Sequence, residues 1–248
     1  MQIQYFDSLE STNKYCELLD LNQVEEFTVI GAKSQTDGIG QRGNHWESQP
    51  GKNLTFSLVL KPTFLPIEDQ YQLTKVLALA VSDYLLVTLH NHIINIKWPN
   101  DIYVDGRKIC GILTSNHTQA HGITASICGI GFNVNQTEFS EWIPNPTSLK
   151  QKTGKEYNIE EVLHELLEYV EKWYDRLTND EWDVIDEIYL QRLYQYRQWA
   201  PYEYLGKPIT ARILDVDQYG HLVIETQENE RINCDLKELK FIQLFPGW

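Results

Sequence analysis

Three clusters of residues have the types and spacing to do chemistry. The first is Gly38-Ile39-Gly40-Gln41-Arg42-Gly43. Three glycines in six residues let backbone N–H groups close on an anion, and Arg42 adds a positive charge. The spacing satisfies G-x-G-x-x-G, but a dinucleotide-binding turn must open a helix whose N-terminus holds the pyrophosphate. Here the loop runs on through Asn44-His45-Trp46-Glu47-Ser48 and Pro50-Gly51 towards a strand. The residues alone leave two readings open: an anion cradle that orders around its ligand, and an ordinary glycine-rich hairpin loop. The second cluster is Lys97-Trp98-Pro99-Asn100-Asp101, followed by Arg107-Lys108 and Gly111-Ile112-Leu113. Lysines set in apolar strand sequence need an anionic partner, either Asp101 or a carboxylate or phosphate ligand. Asn100 and Asp101 also offer the oxygen acceptors that a phosphate-bound Mg²⁺ takes. The third is Gly129-Ile130-Gly131-Phe132-Asn133-Val134, where two glycines permit close backbone approach and Asn133 can read a polar edge.

These clusters need a scaffold, and the apolar pattern predicts one. Met1 to Phe6 alternates as an edge strand does, and Ser11-Thr12-Asn13 offers N-cap residues for a short helix through Leu19. Phe27 to Ala32 and Asn53 to Leu60 read as strands. From Leu73 through Val76, Leu77, Ala80, Val81, Tyr84 and Leu85 to Thr88 the period is that of a helix. Ile93–Trp98, Ile102–Val104, Lys108–Thr114 and Ile123–Val134 are strand-like, with a turn at Asp105-Gly106. A second long helix runs from Ile159 to Leu177, capped by Asn158 with Glu161 as capping-box partner, and Glu181 to Tyr194 makes a third. Beyond Pro201 short strands recur around Tyr219-Gly220 and Asn229, the spacing of a small β-barrel. The chain therefore reads as an α/β unit over 1–200 and a β unit over 201–248, the smaller leaning on the larger.

The 248 residues hold 21 Lys+Arg against 35 Asp+Glu, a net charge of −14. That balance argues against general binding of DNA or an anionic membrane, both of which are captured by basic patches. No apolar run approaches the roughly 18 residues that span a bilayer. No signal peptide is visible, and Cys16, Cys110, Cys128 and Cys234 never form C-x-x-C, so the expectation is four reduced thiols in a cytoplasmic protein. His90-x-His92 and His117-x-x-x-His121 lack a third ligand and read as surface histidines. The Tyr189 to Tyr204 stretch, with Tyr194, Tyr196, Trp199 and Tyr202, reads as packing between helix and barrel rather than as a stacking platform.

Taken together, Glu10-Ser11-Thr12-Asn13, the glycine loop ending at Trp46, Lys97-Trp98-Pro99-Asn100-Asp101, Arg107-Lys108-Ile109-Cys110-Gly111-Ile112-Leu113 and Gly129 to Val134 resemble the catalytic region of a biotin protein ligase. The likeness covers about residues 5 to 150 and is closest to the short form without the N-terminal winged-helix repressor domain. It implies a mixed sheet with flanking helices, related to class II aminoacyl-tRNA synthetases, followed by an SH3-like barrel. It also implies a two-step reaction: biotin and ATP give biotinyl-5′-AMP and pyrophosphate, then a lysine of a biotin carboxyl carrier protein attacks the anhydride. ATP, Mg²⁺ and biotin are then the implied small molecules, with no tightly bound prosthetic group. Ser11, Thr12 and Gln35 match positions that bind the ureido ring, with Asn13 beside them. Gly38, Ile39, Gly40 and Gln41 match the loop closing over biotin, and Gly111 a close backbone approach to its pocket. Lys108 matches the lysine that neutralises the carboxylate, so that it, Lys97 and Asp101 form the implied catalytic set. Arg42, Trp46, Asn100 and Asn133 fall on the nucleotide side, and Trp142 on the loop covering the adenine. No metal ligand is assigned.

Two departures bear on function. The family loop commonly reads Gly-Arg-Gly-Arg-x-Gly-Arg-x-Trp, whereas this chain has Ile39, Gln41 and Asn44 at the arginine positions, and Ser115 stands where Glu is common. Fewer cations near a phosphate imply a weaker hold on the adenylate. Two alternatives stay open on the residues: a lipoate–protein ligase, and a catalytically weakened biotin- or adenylate-binding paralogue. The family includes monomers and dimers, which leaves a homodimer open too.

Overall fold

The computed structural model describes residues 2–119 and 122–242, and of Arg42 only the backbone. Its main sheet has seven strands. These are β1 (Gln2–Phe6), β2 (Thr28–Ala32), β3 (Leu54–Leu60), β4 (Ile94–Lys97), β5 (Asp101–Val104), β6 (Arg107–Gln119) and β7 (Gly122–Phe132), in the order β1-β2-β3-β7-β6-β5-β4. β1 runs parallel to β2 and every other pairing is antiparallel, which makes the sheet mixed. The turn between β5 and β6 has φ of 47° at Asp105 and 81° at Gly106, the twice-positive pattern that suits a two-residue hairpin.

One face of the sheet is covered by α2 (Tyr71–Thr88) and α4 (Ile159–Thr178). The predicted stripe on α2 is buried except for the half-buried Thr88, and Ala78 and Leu79 are fully buried as well, because α4 and α5 also pack on this helix. On α4 Asn158 accepts from the Glu160 N–H at 3.0 Å, but Glu161 takes a hydrogen from the Asn158 side-chain amide rather than from its backbone. The capping box is therefore only half made. α5 (Trp182–Arg192) follows, and α3 (Leu149–Thr153), to which the sequence pattern assigns nothing, is capped by Ser148 and ended by Gly154 at φ 72°.

The opposite face is covered by α1 (Thr12–Glu17), shorter than the predicted helix to Leu19. Strand alternation then divides the side chains. On β3, Leu54, Phe56, Leu58 and Leu60 enter the large core, while Val59 packs under α1 with Cys16, Ile30 and Ile127. On β7, Cys128, Ile130 and Phe132 go to the core. Between them, Thr55, Ser57, Gly129 and Gly131 fall on the α1 face, and their small size leaves a depression there.

The second sheet comprises β8 (Trp199–Tyr204), β9 (Lys207–Val216), β10 (Leu222–Thr226), β11 (Arg231–Cys234) and β12 (Leu239–Phe241), in the order β11-β10-β9-β8-β12. All its pairings are antiparallel, and among the described residues β11 and β12 are its two edges. Tyr202 is buried edge-on against Phe241 within this second sheet, whereas Trp199 of the same aromatic stretch is exposed. All four cysteines are buried and free. His92 pairs with Asp105 and His117 with Glu17, while His121 lies outside the described residues. Among the described residues no helix is long and apolar enough to cross a membrane.

Candidate functional site

Cross-strand register, rather than sequence proximity, assembles the site. Thr55 pairs with Gly131, Gly131 with Gly111, Gly111 with Asp101 and Asp101 with Lys97. Residues directly opposite in neighbouring strands share a face, so these five form one row across five strands. The next row brings Ser57 opposite Gly129 and Gly129 opposite Leu113. Above both rows lies a cavity of about 180 Å³.

Its closed end is polar. A parallel bridge between Leu9 and Gln35, with Thr36 N–H donating to Leu9 C=O at 3.0 Å, sets the start of α1 beside Gln35. Thr12 N–H then donates to Gln35 Oε1 at 2.8 Å, joined by the Thr12 hydroxyl at 3.2 Å. An N–H can only donate, which makes the other end of Gln35, Nε2, a donor. Ser11 sits at the N-cap without capping through its side chain, so its buried hydroxyl is not spent on the helix. Asn13 occupies space that any side chain at Gly129 would fill, and its Nδ2 is buried without a partner. Ser57, fully buried on β3, donates towards Thr12 Oγ1 (2.8 Å) and Asn13 Oδ1 (2.5 Å). The sequence reading gives Ser57 no role. The signal was a period-two pair of polar residues, Thr55 and Ser57, inside the apolar run Leu54–Leu60.

The open end holds the charges. Lys108 Nζ lies 2.7 Å from Asp101 Oδ1, so the partner within the chain exists. The Lys108 backbone is fixed by Asn145 C=O at 2.7 Å and the Thr147 N–H at 2.8 Å. Among the described residues no carboxylate comes within ion-pair distance of Lys97. Its ammonium lies 4.9 Å from the Phe241 ring centroid and 6.0 Å from that of Tyr103. Burial holds it below the ordinary lysine value, with Asp101 opposing and Lys108 adding to the shift.

The glycine loop is a closed hairpin: Gly40 N–H donates to Asn44 C=O at 2.6 Å and Trp46 N–H to Gly38 C=O at 2.8 Å. It nonetheless lines the cavity, through Ile39, Gly40, Gln41, Asn44 and Trp46. Gly38 stands just behind, where a Cβ would press on Trp46 C=O at 2.5 Å. The Trp46 indole rests on the paired glycines: a Cβ at Gly131 would fall inside it, and one at Gly111 would lie 3.1 Å away. Its Nε1 is buried and unpartnered, and Lys108 Nζ sits 5.6 Å from the ring centroid.

Trp46 is also a wall of a second cavity, of about 410 Å³, which shares Asp101 and Lys108 with the first and adds Lys97, Asn133, Phe139 and Trp142. Asn133 Oδ1 is buried there with no partner, an acceptor suited to an amino group. His45 and Trp142 approach at 6.3 Å between ring centroids, and Glu47 accepts from Ser140 N–H, so the two loops flanking this cavity meet. Asn100 lines the first cavity, but its side-chain amide donates to Ile112 C=O, leaving Oδ1 for a ligand. The Arg42 side chain lies outside the described residues. Among the described residues no three His, Cys, Asp or Glu side chains gather as a metal cage. Such a site would take a metal only with a phosphate ligand completing its shell, and Asp101 is the carboxylate of the first cavity.

Known proteins resemble this chain in sequence and in fold. The sequence model of the biotin/lipoate A/B protein ligase family matches residues 5–133. The bifunctional ligase/repressor BirA of Bacillus subtilis is 32% identical over 237 residues, covering 90% of this chain and 69% of that protein. A biotin–[acetyl-CoA-carboxylase] ligase of Paracoccus denitrificans is 30% identical over 194 residues, 76% of each. In structure, the biotin protein ligase of Aquifex aeolicus in complex with biotin and ATP superposes with a TM-score of 0.79 at 27% identity, covering 96% of this chain and 97% of that one.

Proposed function

This chain belongs to the biotin/lipoate A/B protein ligase family, and we propose that it joins biotin to a lysine of the biotin carboxyl carrier of a carboxylase, with ATP. The observation that supports this reading most is the Lys108–Asp101 pair at the junction of two cavities, one ending in amide and hydroxyl groups, the other walled by aromatics. The polar end suits a cyclic urea, whose carbonyl takes the Gln35 Nε2 and Asn13 Nδ2 hydrogens and whose N–H groups need acceptors such as the Ser11 hydroxyl. A dithiolane ring offers those donors no comparable acceptor, which disfavours lipoate.

In the first step a biotin carboxylate oxygen attacks the α-phosphorus of ATP, a P–O bond forms and pyrophosphate leaves. Lys108 lies where it neutralises the carboxylate on approach and the charge that builds on the phosphoryl oxygens, a preorganised electrostatic role. Lys97, inside the second cavity, faces the nucleotide phosphates. Mg²⁺ on the triphosphate, when bound, neutralises phosphate charge, with Asp101 as the carboxylate facing it. The adenine lies against Trp142, with Asn133 Oδ1 accepting from its amino group. In the second step the carrier's lysine amine attacks the acyl carbon, AMP leaves, and Asp101 takes the amine proton. Biotin-dependent ATP–pyrophosphate exchange tests the first step: exchange with biotin and none with lipoate is expected, and exchange favouring lipoate would overturn the choice of acid.

Two further results follow from named side chains. Because burial depresses the Lys97 pKa, the neutral form appears at lower pH than for an ordinary lysine near 10.5. The KM for ATP should therefore begin to rise below that pH, and Lys97→Arg, which stays charged, should abolish the rise. An unchanged alkaline limb would remove Lys97 from the phosphate site. Ile39 and Gln41 line the cavity with no charge. Biotinyl-AMP should leave more slowly from an Ile39→Arg, Gln41→Arg double variant, by about tenfold for one favourable charge contact; equal release rates would contradict a role for loop charge.

A further inference from the structure

Directly behind Lys97-Trp98-Pro99-Asn100-Asp101 stands Tyr71, the first residue of α2. Its hydroxyl lies 2.6 Å from Pro99 C=O and 2.9 Å from the Tyr189 hydroxyl on α5. A carbonyl can only accept, so the Tyr71 proton goes to Pro99 and Tyr189 donates to Tyr71. Burial pushes both phenols upward, which keeps them protonated donors. The Tyr71 ring fills the place a Cβ would take at Gly220, whose φ is 88°, in the turn between β9 and β10. The carbonyl of that glycine accepts from Trp98 Nε1 at 2.9 Å. Trp98 and Pro99 are thus held by one indole and one hydroxyl, and both holds meet the same turn of the second sheet. Asn100, the next residue, is hydrogen-bonded to Ile112 through both backbone and side chain, and Asp101 then opens β5.

We propose that Tyr71 is a positioning residue: its hydroxyl, braced by the Gly220 turn of the second sheet, sets the Pro99–Asn100 peptide plane from which Asp101 reaches Lys108. This rests on the ligase reading above, which supplies the assay. Tyr71→Phe and Tyr189→Phe remove the same Tyr71–Tyr189 hydrogen bond, but only the first leaves Pro99 C=O without its donor. A purely structural role would lower the melting temperature and leave kcat near the parent value in both variants.

The test compares kcat for biotin-dependent pyrophosphate exchange, biotin Kd by calorimetry, and melting temperature in the full chain. Tyr71→Phe is expected to lose about tenfold in kcat, the scale of a small misplacement of a catalytic group, with biotin Kd unchanged. Tyr189→Phe, which loses one of these hydrogen bonds where Tyr71→Phe loses two, is expected to stay within about twofold of the parent in kcat and to melt no lower than Tyr71→Phe. Gly220→Ala keeps every hydrogen-bonding group but strains the turn at φ 88° and forces a methyl into the Tyr71 ring; with its melting temperature measured alongside, it should reproduce the kcat loss, and it stands in for Tyr71→Phe if that variant does not fold. Equal kcat in the two phenylalanine variants, or an unaffected Gly220→Ala, would overturn the proposal while leaving the ligase reading intact. A parent protein with no exchange would overturn both.

Discussion

Replacing Lys108 with alanine is expected to lower the adenylation rate by about 10²–10³-fold, the usual cost of removing one preorganised group aimed at developing charge. The position explains the size. Lys108 lines both cavities, its backbone is fixed on each side by the 145–147 segment, and its ammonium is 2.7 Å from Asp101. No other described ammonium or guanidinium group lines the first cavity, so none substitutes there. The fold should survive, because Lys108 is partly exposed and belongs to neither hydrophobic cluster. Exchange kinetics with a melting curve check both halves; a rate within tenfold of the parent would remove Lys108 from the chemistry.

The second large effect is expected at a residue without a side chain. Gly131→Ala places a methyl inside the Trp46 indole, on the floor shared with Gly111. Strand β7 is central in the sheet and cannot yield, whereas Trp46 is carried by a loop and can lift. Overpacking of this kind costs about 1–3 kcal/mol, so biotin and ATP should each bind at least about fivefold more weakly. Lifting the loop should leave the core alone, and the melting temperature should fall by less than about 4 °C. Calorimetric titration with each ligand measures this. Parent-like affinities would mean that Trp46 does not separate the two cavities.

The chemistry was more legible than its assembly. Lys97, Asp101 and Lys108 stand out because charge in apolar strand sequence needs a reason, and the glycine pairs stand out because strands seldom tolerate them. The row Thr55–Gly131–Gly111–Asp101–Lys97 could not be read in advance, since it depends on the register of three consecutive strand pairs and on β3 pairing with the distant β7. Ser57 escaped notice for the same reason: only the fold shows that it backs Thr12 and Asn13. Leu149–Thr153 is too short to express a helical period, although its Ser148 cap and Gly154 stop are both present. Nor does any local pattern announce that Gly220 meets Tyr71 and Trp98. By contrast, α4 was legible along its whole length, since eight apolar residues at helical spacing face a single core.

The central claim is that this chain transfers biotin to a protein lysine. The most direct measurement incubates it with labelled biotin, ATP, Mg²⁺ and a biotin carboxyl carrier domain, beside the same domain with its acceptor lysine changed to arginine. Label that becomes covalently attached to the first domain and not to the second, and that disappears with Lys108→Ala, is the predicted result. Exchange of pyrophosphate with no label on the carrier would contradict the account, reducing the protein to one that makes or holds an adenylate without passing it on.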